Sequence, residues 1–346
     1  GDVWCGIVDV FAPEPAGVTP HAADEACLVV PGTAMMFDQV YNRGCRLSLK
    51  NVESREPLYR STLMRRTKIG KIESSFSKDD CIRVVGEGQE RLRQGEGMQV
   101  VPSVSFEAPF EGDPFTLFRR LRRINPSPYL FYMRLPGIVL MGSSPEVLVG
   151  CTDNRLRISP IAGTRPRGET VREDNLFEEE LVRDPKEQAE HVMLVDLARN
   201  DLGKVALPGT VTLERYMEVE RFSHVMHLTS YISAQLSEGM DGLDILKATF
   251  PAGTVSGAPK IRAMEIISKA EARSRGPYAG AIGWLGLDKA SVNMDTGITI
   301  RSLWIRDGKA HWQAGAGIVV DSVPETEWQE CTNKAAAMVS VLSGSR

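Results

Sequence analysis

The period with which apolar and polar residues alternate changes along this 346-residue chain, and each change marks an element. Residues 79–93 and the segment DPFTLFRRLRRINP (113–126) carry apolar positions at helical spacing. In the latter, Asp113-Pro114 suits a helix start, and Phe115, Phe118 and Leu121 fall on one face. MQVVPSVSF between them reads as a strand, YLFYMRL and GIVLMGSSPEVLVG as hairpin-like apolar runs, and RLRISPIAGT as strand-like. Residues 173–200 are predicted helical, and 243–271 hold two helices interrupted by FPAGTVSGAPK. AGAIGWLGL, GITIRSLWI and AHWQAGAGIVV then predict an antiparallel meander before a last helix. The first 75 residues are least legible: a Pro/Ala/Gly-rich loop near 12–23, strand-like sequence from Cys27 to Leu49, and a basic, then polar, excursion near 54–80. Strands and helices intersperse without regular βαβ alternation, which predicts an α+β architecture.

Composition narrows the function classes. With 42% hydrophobic and 25% charged residues the chain reads as globular, one large domain or two. A net charge of -4 gives no electrostatic reason to expect nucleic acid, and no apolar run reaches membrane-spanning length. The opening GDVWCGIVDV has no charged leader and begins on Gly1, so a fragment or processed form is expected. The expected location is cytoplasmic, or a plastid if a transit peptide lies upstream. Cys5, Cys27, Cys45, Cys81, Cys151 and Cys331 are scattered singly, as free thiols in a reducing compartment would be.

Four glutamates dominate the candidate chemistry. Glu187 and Glu190 in DPKEQAEHVMLVDL, and Glu327 and Glu330 in PETEWQECTNKAAAM, are each three apart on a predicted helix and so share a face. Two such faces brought together make an oxygen-rich site for a hard cation, and Mg²⁺ takes one or two carboxylates plus substrate oxygens. The competing reading is a helix start: Asp184-Pro185-Lys186-Glu187 and Ser322-Val323-Pro324-Glu325 both fit an N-cap, a first-turn proline and a capping-box glutamate.

Glycines in FPAGTVSGAPK (250–260) and AGAGI (314–318) let backbone N–H groups face an anion, although the first segment lacks the spacing of a phosphate-binding P-loop. Arg301, Tyr278 and Lys334 can add charge and hydrogen bonds for that anion, or pair at the surface. His227 sits in a strand-like apolar segment where a satisfied core histidine is the commoner outcome. Glu146 follows Ser144-Pro145 into an apolar run; half-buried, its carboxyl would have a raised pKa and could donate a proton, the alternative being an edge-strand glutamate.

Taken together, PIAGTRPRG, DPKEQAEHVMLVDLARNDLGKV, FPAGTVSGAPKIRAMEII, RGPYAGAIGW, MDTGITIRS and QAGAGIVVDSVPETEWQECTNKA resemble the chorismate-utilising enzymes, above all the large subunit (component I) of anthranilate synthase. The resemblance covers roughly residues 78–343. It sets residues 1–75 apart as a weakly matched remnant of an N-terminal region and 76–346 as the chorismate-binding catalytic domain. It implies two large antiparallel sheets packed as a sandwich with helices outside. It further implies Mg²⁺ on Glu190 and Glu330, with Glu187 and Glu327 nearby or through water, holding the ring carboxylate of chorismate.

By the same resemblance the Ser256-Gly257 backbone and Lys334 surround that carboxylate. Tyr278, Arg301 and the backbone of Gly315 and Gly317 grip the enolpyruvyl carboxylate, and Thr254 places a hydroxyl beside the substrate. Glu146 matches the general acid for the departing ring hydroxyl, and His227 the histidine linked to pyruvate loss. Relatives that add water carry a lysine base where this chain has Gln99; an amide is no base at ordinary pH, which favours ammonia as nucleophile. The implied product is anthranilate, the first step of tryptophan biosynthesis, with ammonia from a separate glutamine-hydrolysing subunit in a hetero-oligomer. Ala162 stands where many aminodeoxychorismate synthases have a lysine nucleophile, which argues against that 4-amino alternative. A third reading is a non-catalytic homologue that binds only chorismate or the glutaminase. Asn125-Pro126-Ser127-Pro128-Tyr129 resembles part of the family's tryptophan feedback pocket, with Leu130 where methionine is usual.

Overall fold

The computed structural model describes residues 66–344 other than 223, 224, 272 and 289, together with the backbone strands 3–8, 26–29, 33–38 and 43–48. Its helices are α1 (Lys78–Arg93), α2 (Pro114–Ile124), α3 (Val171–Arg183), α4 (Pro185–Gly203), α5 (Gly242–Thr249), α6 (Gly253–Ser256), α7 (Lys260–Ala270) and α8 (Pro324–Ser343). Local chemistry sets their starts. Ser77 and Asp80 form a capping box on α1, Thr170 and Glu173 another on α3, and Asp113 caps α2 ahead of Pro114. The helical stretch over 173–200 is two helices, because Asp184 ends α3 in extended backbone and caps α4 by accepting from the Lys186 and Glu187 amides.

The strands form two large antiparallel sheets. The nine-stranded sheet runs Ile161–Pro166, Val225–Gln235, Arg155–Ile158, Val147–Thr152, Met294–Ile298, Ala281–Gly286, Val3–Val8 and Ala26–Val29, with Thr212–Arg221 also on Val225–Gln235. The seven-stranded sheet runs Lys68–Ile69, Ser103–Glu111, Lys309–Gly315, Ser302–Arg306, Ile138–Ser144 and Tyr129–Leu135, with Glu73–Ser74 also on Ser103–Glu111. Gln99–Val100 pairs with Gly257–Ala258, and Thr33–Asp38 with Arg43–Ser48.

Period-two alternation puts Leu140 and Trp304 on the face of the seven-stranded sheet that shares a core with Leu148, Ile282 and Met294 of the other sheet. Their neighbours Met141 and Leu303 point the opposite way, against Leu117 and Leu121 of α2 and Met338 and Val341 of α8. Leu117 and Leu121 are fully buried, which contributes about 1.5–3 kcal/mol each.

Two expectations are corrected by how strands pass between the sheets. YLFYMRL and the first half of GIVLMGSSPEVLVG do form a hairpin, but the second run divides: Ile138–Ser144 lies in the seven-stranded sheet and Val147–Thr152 in the nine-stranded one, with Glu146 at the crossing. Nor is the last strand group one meander, since Ala281–Gly286 pairs with Met294–Ile298 in one sheet and Ser302–Arg306 with Lys309–Gly315 in the other. The second crossing carries Arg301, and the two are tied by bonds from the Ile298 amide to the Glu146 carbonyl (3.0 Å) and from the Ser143 amide to the Arg301 carbonyl (3.1 Å). Among the described residues no helix is long and apolar enough to cross a membrane, and Cys27, Cys81, Cys151 and Cys331 are free. Burial pushes the thiols of Cys81 and Cys331 up to about 11 and about 12, so both behave as neutral packing groups.

Candidate active site

The two sheet crossings place an acid and a guanidinium in one cleft. Glu146 is enclosed by protein atoms yet keeps some solvent contact, as a residue lining a concave opening does; burial raises its pKa from 4.5 to about 7. Thr254, Lys334 and Arg301 oppose that rise, which puts all three around the same carboxyl. The Thr254 hydroxyl approaches the carboxyl without closing a hydrogen bond of ordinary geometry and has no other partner among the described residues. Arg301 occupies the left-handed region (φ 47°), a conformation that costs energy for a side chain with Cβ and recurs at functional sites. Its neighbourhood is fixed by the Thr299 amide on Gly280 O (2.8 Å) and the Ala279 amide on Thr299 O (3.0 Å), which bring Tyr278, 4% exposed, alongside.

Glutamates of the two helices come within electrostatic reach of one another, Glu190 of α4 with Glu330 of α8. Burial raises the pKa of Glu190, an effect reinforced by Glu187 and Glu330, and burial raises that of Glu327, reinforced by Glu330. Mutually repelling, partly buried carboxylates contributed by α4 and α8 are an arrangement that a hard cation would relieve, and their oxygens fit Mg²⁺. They are not a closed cage: among the described residues no three acidic, histidine or cysteine groups converge as a metal cluster. Lys334 pairs with Glu330 (2.6 Å), and Arg165 bridges Glu187 (3.3 Å) and Asp184 (2.8 Å).

The helix-start reading holds for Asp184 and for the first-turn prolines, while the capping-box role of the glutamates does not. The Glu187 side chain is turned to Arg165 rather than back to its own helix start, and α8 begins at Val323 with no side-chain cap. Ser322 instead accepts from the Val319 amide (3.0 Å) and meets buried Glu327.

Gln99 lies at the centre of the polar wall. It is 3% exposed, donates from Nε2 to Glu190 Oε1 (3.2 Å), and leaves its Oε1 without a partner among the described residues. Glycines make room for it. A Cβ on Gly317 would sit 2.6 Å from Gln99 Nε2, and one on Gly257 (φ 128°) would overlap the Gln99 carbonyl. At Gly315 a Cβ would come within 2.7 Å of Pro102 O and 2.9 Å of the Tyr278 hydroxyl, while Lys334 Nζ donates to Gly315 O (3.1 Å). Around Ser256 the picture differs from expectation in one respect. Its hydroxyl donates to Ala252 O (2.8 Å) and the Gly257 amide to Gly253 O, so a ligand there would share donors already engaged.

His227 is not a core histidine. It is half-buried on Val225–Gln235, with Nδ1 at 3.0 Å from both the Gly163 carbonyl and Thr164 Oγ1. A carbonyl only accepts, so Nδ1 carries the proton and Nε2 the free lone pair. Burial lowers the ring's pKa, opposed by the Gly163 bond and aided by nearby Arg301. Gly163 (φ 69°) also brings the backbone against Glu187, where a Cβ would meet Oε2 at 3.1 Å.

Sequence reasoning missed three residues beside this cleft. Arg165 was visible only as part of a motif. Lys260 of SGAPK looks like an anion-binding lysine but is buried on Asp201 (2.6 Å) and Thr249 O (2.8 Å). Arg275 is buried on Glu271 (2.6 Å), and no periodic signal marks either partner. The Asn125–Tyr129 segment bridges the sheets, Ser127 Oγ bonding Ser143 Oγ (2.6 Å) and the Tyr129 hydroxyl donating to Asp295 (2.8 Å).

Comparison with known proteins gives this site its context. Anthranilate synthase component 1 of Aquifex aeolicus is 46% identical over 345 residues, 99% of this chain and 68% of that protein. The Geobacillus stearothermophilus protein of the same name is 50% identical over 272 residues, 79% of this chain and 53% of its own length. This chain thus spans about half to two thirds of the curated relatives it matches. The crystal structure of anthranilate synthase component I from Streptococcus pneumoniae superposes with a TM-score of 0.82 at 34% identity, covering 97% of this chain and 80% of that one. A menaquinone-specific isochorismate synthase from Escherichia coli follows at 0.71 and 28%, covering 80% and 63%. Residues 12–340 match the family described as chorismate binding enzyme, and the chain belongs to that family.

Proposed function

We propose that this chain carries the chorismate-aminating activity of an anthranilate synthase: chorismate and ammonia give anthranilate, pyruvate and water. The observation that carries the reading is the Glu146 carboxyl, whose pKa burial raises to about 7 with Arg301 and Lys334 near it. A carboxyl with a pKa of about 7 keeps a substantial protonated fraction near neutral pH, so Glu146 donates the proton with which the ring hydroxyl leaves as water. Once ionised, it is stabilised by the same Arg301 and Lys334 that oppose its raised pKa.

Magnesium bound between α4 and α8, on Glu190 and Glu330 with Glu187 and Glu327 nearby, would supply the positive charge that holds the ring carboxylate. Arg301, Tyr278 and the Gly315–Gly317 backbone orient the second carboxylate. Gln99 cannot deprotonate water, and ammonia needs no such help. His227, neutral with Nε2 free, takes the ring proton as the enolpyruvyl group leaves as pyruvate and the ring becomes aromatic. The relatives' name, component 1, implies a second component; we assign glutamine hydrolysis and ammonia supply to that partner.

Incubation with chorismate, an excess of an ammonium salt near neutral pH and Mg²⁺ tests the reading through anthranilate fluorescence, with products separated by chromatography. A 4-amino product, or isochorismate, rejects the assignment.

A further inference from the structure

We propose that Arg275, locked by Glu271, is a positioning residue that fixes the spacing of the substrate-facing walls; the proposal rests on the chorismate reading above. Its guanidinium Nη1 donates to Val255 O (2.6 Å), and Nη2 to both Val101 O (2.7 Å) and Glu271 Oε1 (2.6 Å). Nε completes the fork on Glu271 Oε2 (3.0 Å). Val255 precedes Ser256-Gly257, and Val101 follows the Gln99–Val100 strand that pairs with Gly257–Ala258. The Val101 amide also donates to Ser256 O (2.9 Å). Arg275 therefore closes the end of this small ladder, holding the two chains that carry Gln99 and the 253–257 turn at one separation.

The same guanidinium lies 5.5 Å from the Tyr278 ring centroid, a cation–π contact that seats the third wall. Glu271 fixes the fork in turn: its Oε1 accepts from the Ser103 amide and hydroxyl, both at 2.8 Å. The side chains of Arg275 and Glu271 are 12% and 6% exposed, so the pair is screened little by solvent. A lysine supplies a point ammonium that cannot span two divergent carbonyls and a carboxylate.

Arg275→Lys in the full chain tests this. Amide hydrogen exchange without substrate should accelerate about tenfold or more at residues 99–101 and 255–258 while α4 and α8 stay unchanged. Chorismate affinity with Mg²⁺ present and ammonia absent should weaken about tenfold, with KM rising more than kcat falls and affinity for Mg²⁺ alone preserved. Glu271→Gln, which keeps the shape of the acceptor, should show the same pattern more weakly and serves if the lysine variant fails to fold. Unchanged local exchange in a folded variant, or exchange rising equally through the chain, overturns the proposal. A wild-type chain that takes up no chorismate removes the functional reading and the substrate half of this one, while the exchange pattern still decides whether Arg275 holds the ladder.

Discussion

Replacing Glu146 by glutamine separates the stability cost of this carboxyl from its use. Its pKa rises from 4.5 in the unfolded chain to about 7 in the folded protein, because burial disfavours the charge. With the folded pKa above the unfolded one, the contribution to stability is complete below 4.5 and is lost as pH rises to about 7, where the curve levels. At about 1.36 kcal/mol per pH unit the full shift corresponds to about 3 kcal/mol, and residual solvent contact makes this an upper bound. Glutamine has nearly the same shape and does not titrate. Glu146→Gln should therefore match the wild type near pH 4 and exceed it by about 1–3 kcal/mol above pH 8, in urea unfolding followed across that range. Anthranilate formation should meanwhile drop about 10²- to 10⁴-fold, and wild-type turnover should decline above about pH 7. Parallel stability curves for the two proteins, or a glutamine variant that turns over normally, would refute the reasoning.

The other expectations concern different parts of the cleft. Glu330→Ala should abolish activity by removing a carboxylate oxygen, with normal turnover at saturating Mg²⁺ as the contrary result. His227→Ala should release an aminated, non-aromatic product without anthranilate fluorescence, which chromatography would separate. Gly317→Ala puts a Cβ 2.6 Å from Gln99 Nε2 and should displace Gln99 from Glu190, weakening chorismate binding in calorimetry by about tenfold. Lys260→Met leaves Asp201, among the described residues, with Lys204 at 2.8 Å as its cation and should cost about 3 kcal/mol in urea unfolding, leaving the product unchanged.

Helix existence was legible because the helices carry their own start chemistry, as at Asp113-Pro114 and Asp184-Pro185. Strand partnership was not. GIVLMGSSPEVLVG and GITIRSLWI are continuous apolar runs, and nothing in their alternation says that the chain changes sheets at Glu146 and Arg301. The glutamate pairs were readable from helical spacing, while the resemblance supplied Gln99, Thr254 and Gly317, whose importance lies in contacts between remote segments. Arg275 with Glu271 stayed hidden for a further reason: acid and arginine four apart look like any solvated pair, and only tertiary packing buries them.

The two crossings give the interior an influence over the chemistry that the cleft residues do not reveal. Glu146 and Arg301 are each anchored to one layer on one side and to the other layer on the next, so their separation is set by the thickness of the filling between layers. Buried side chains such as Leu140 and Trp304 thus act as shims. Adding or removing a methylene there would retune acid and guanidinium together, a route by which one scaffold could drift between related reactions while its lining stays the same.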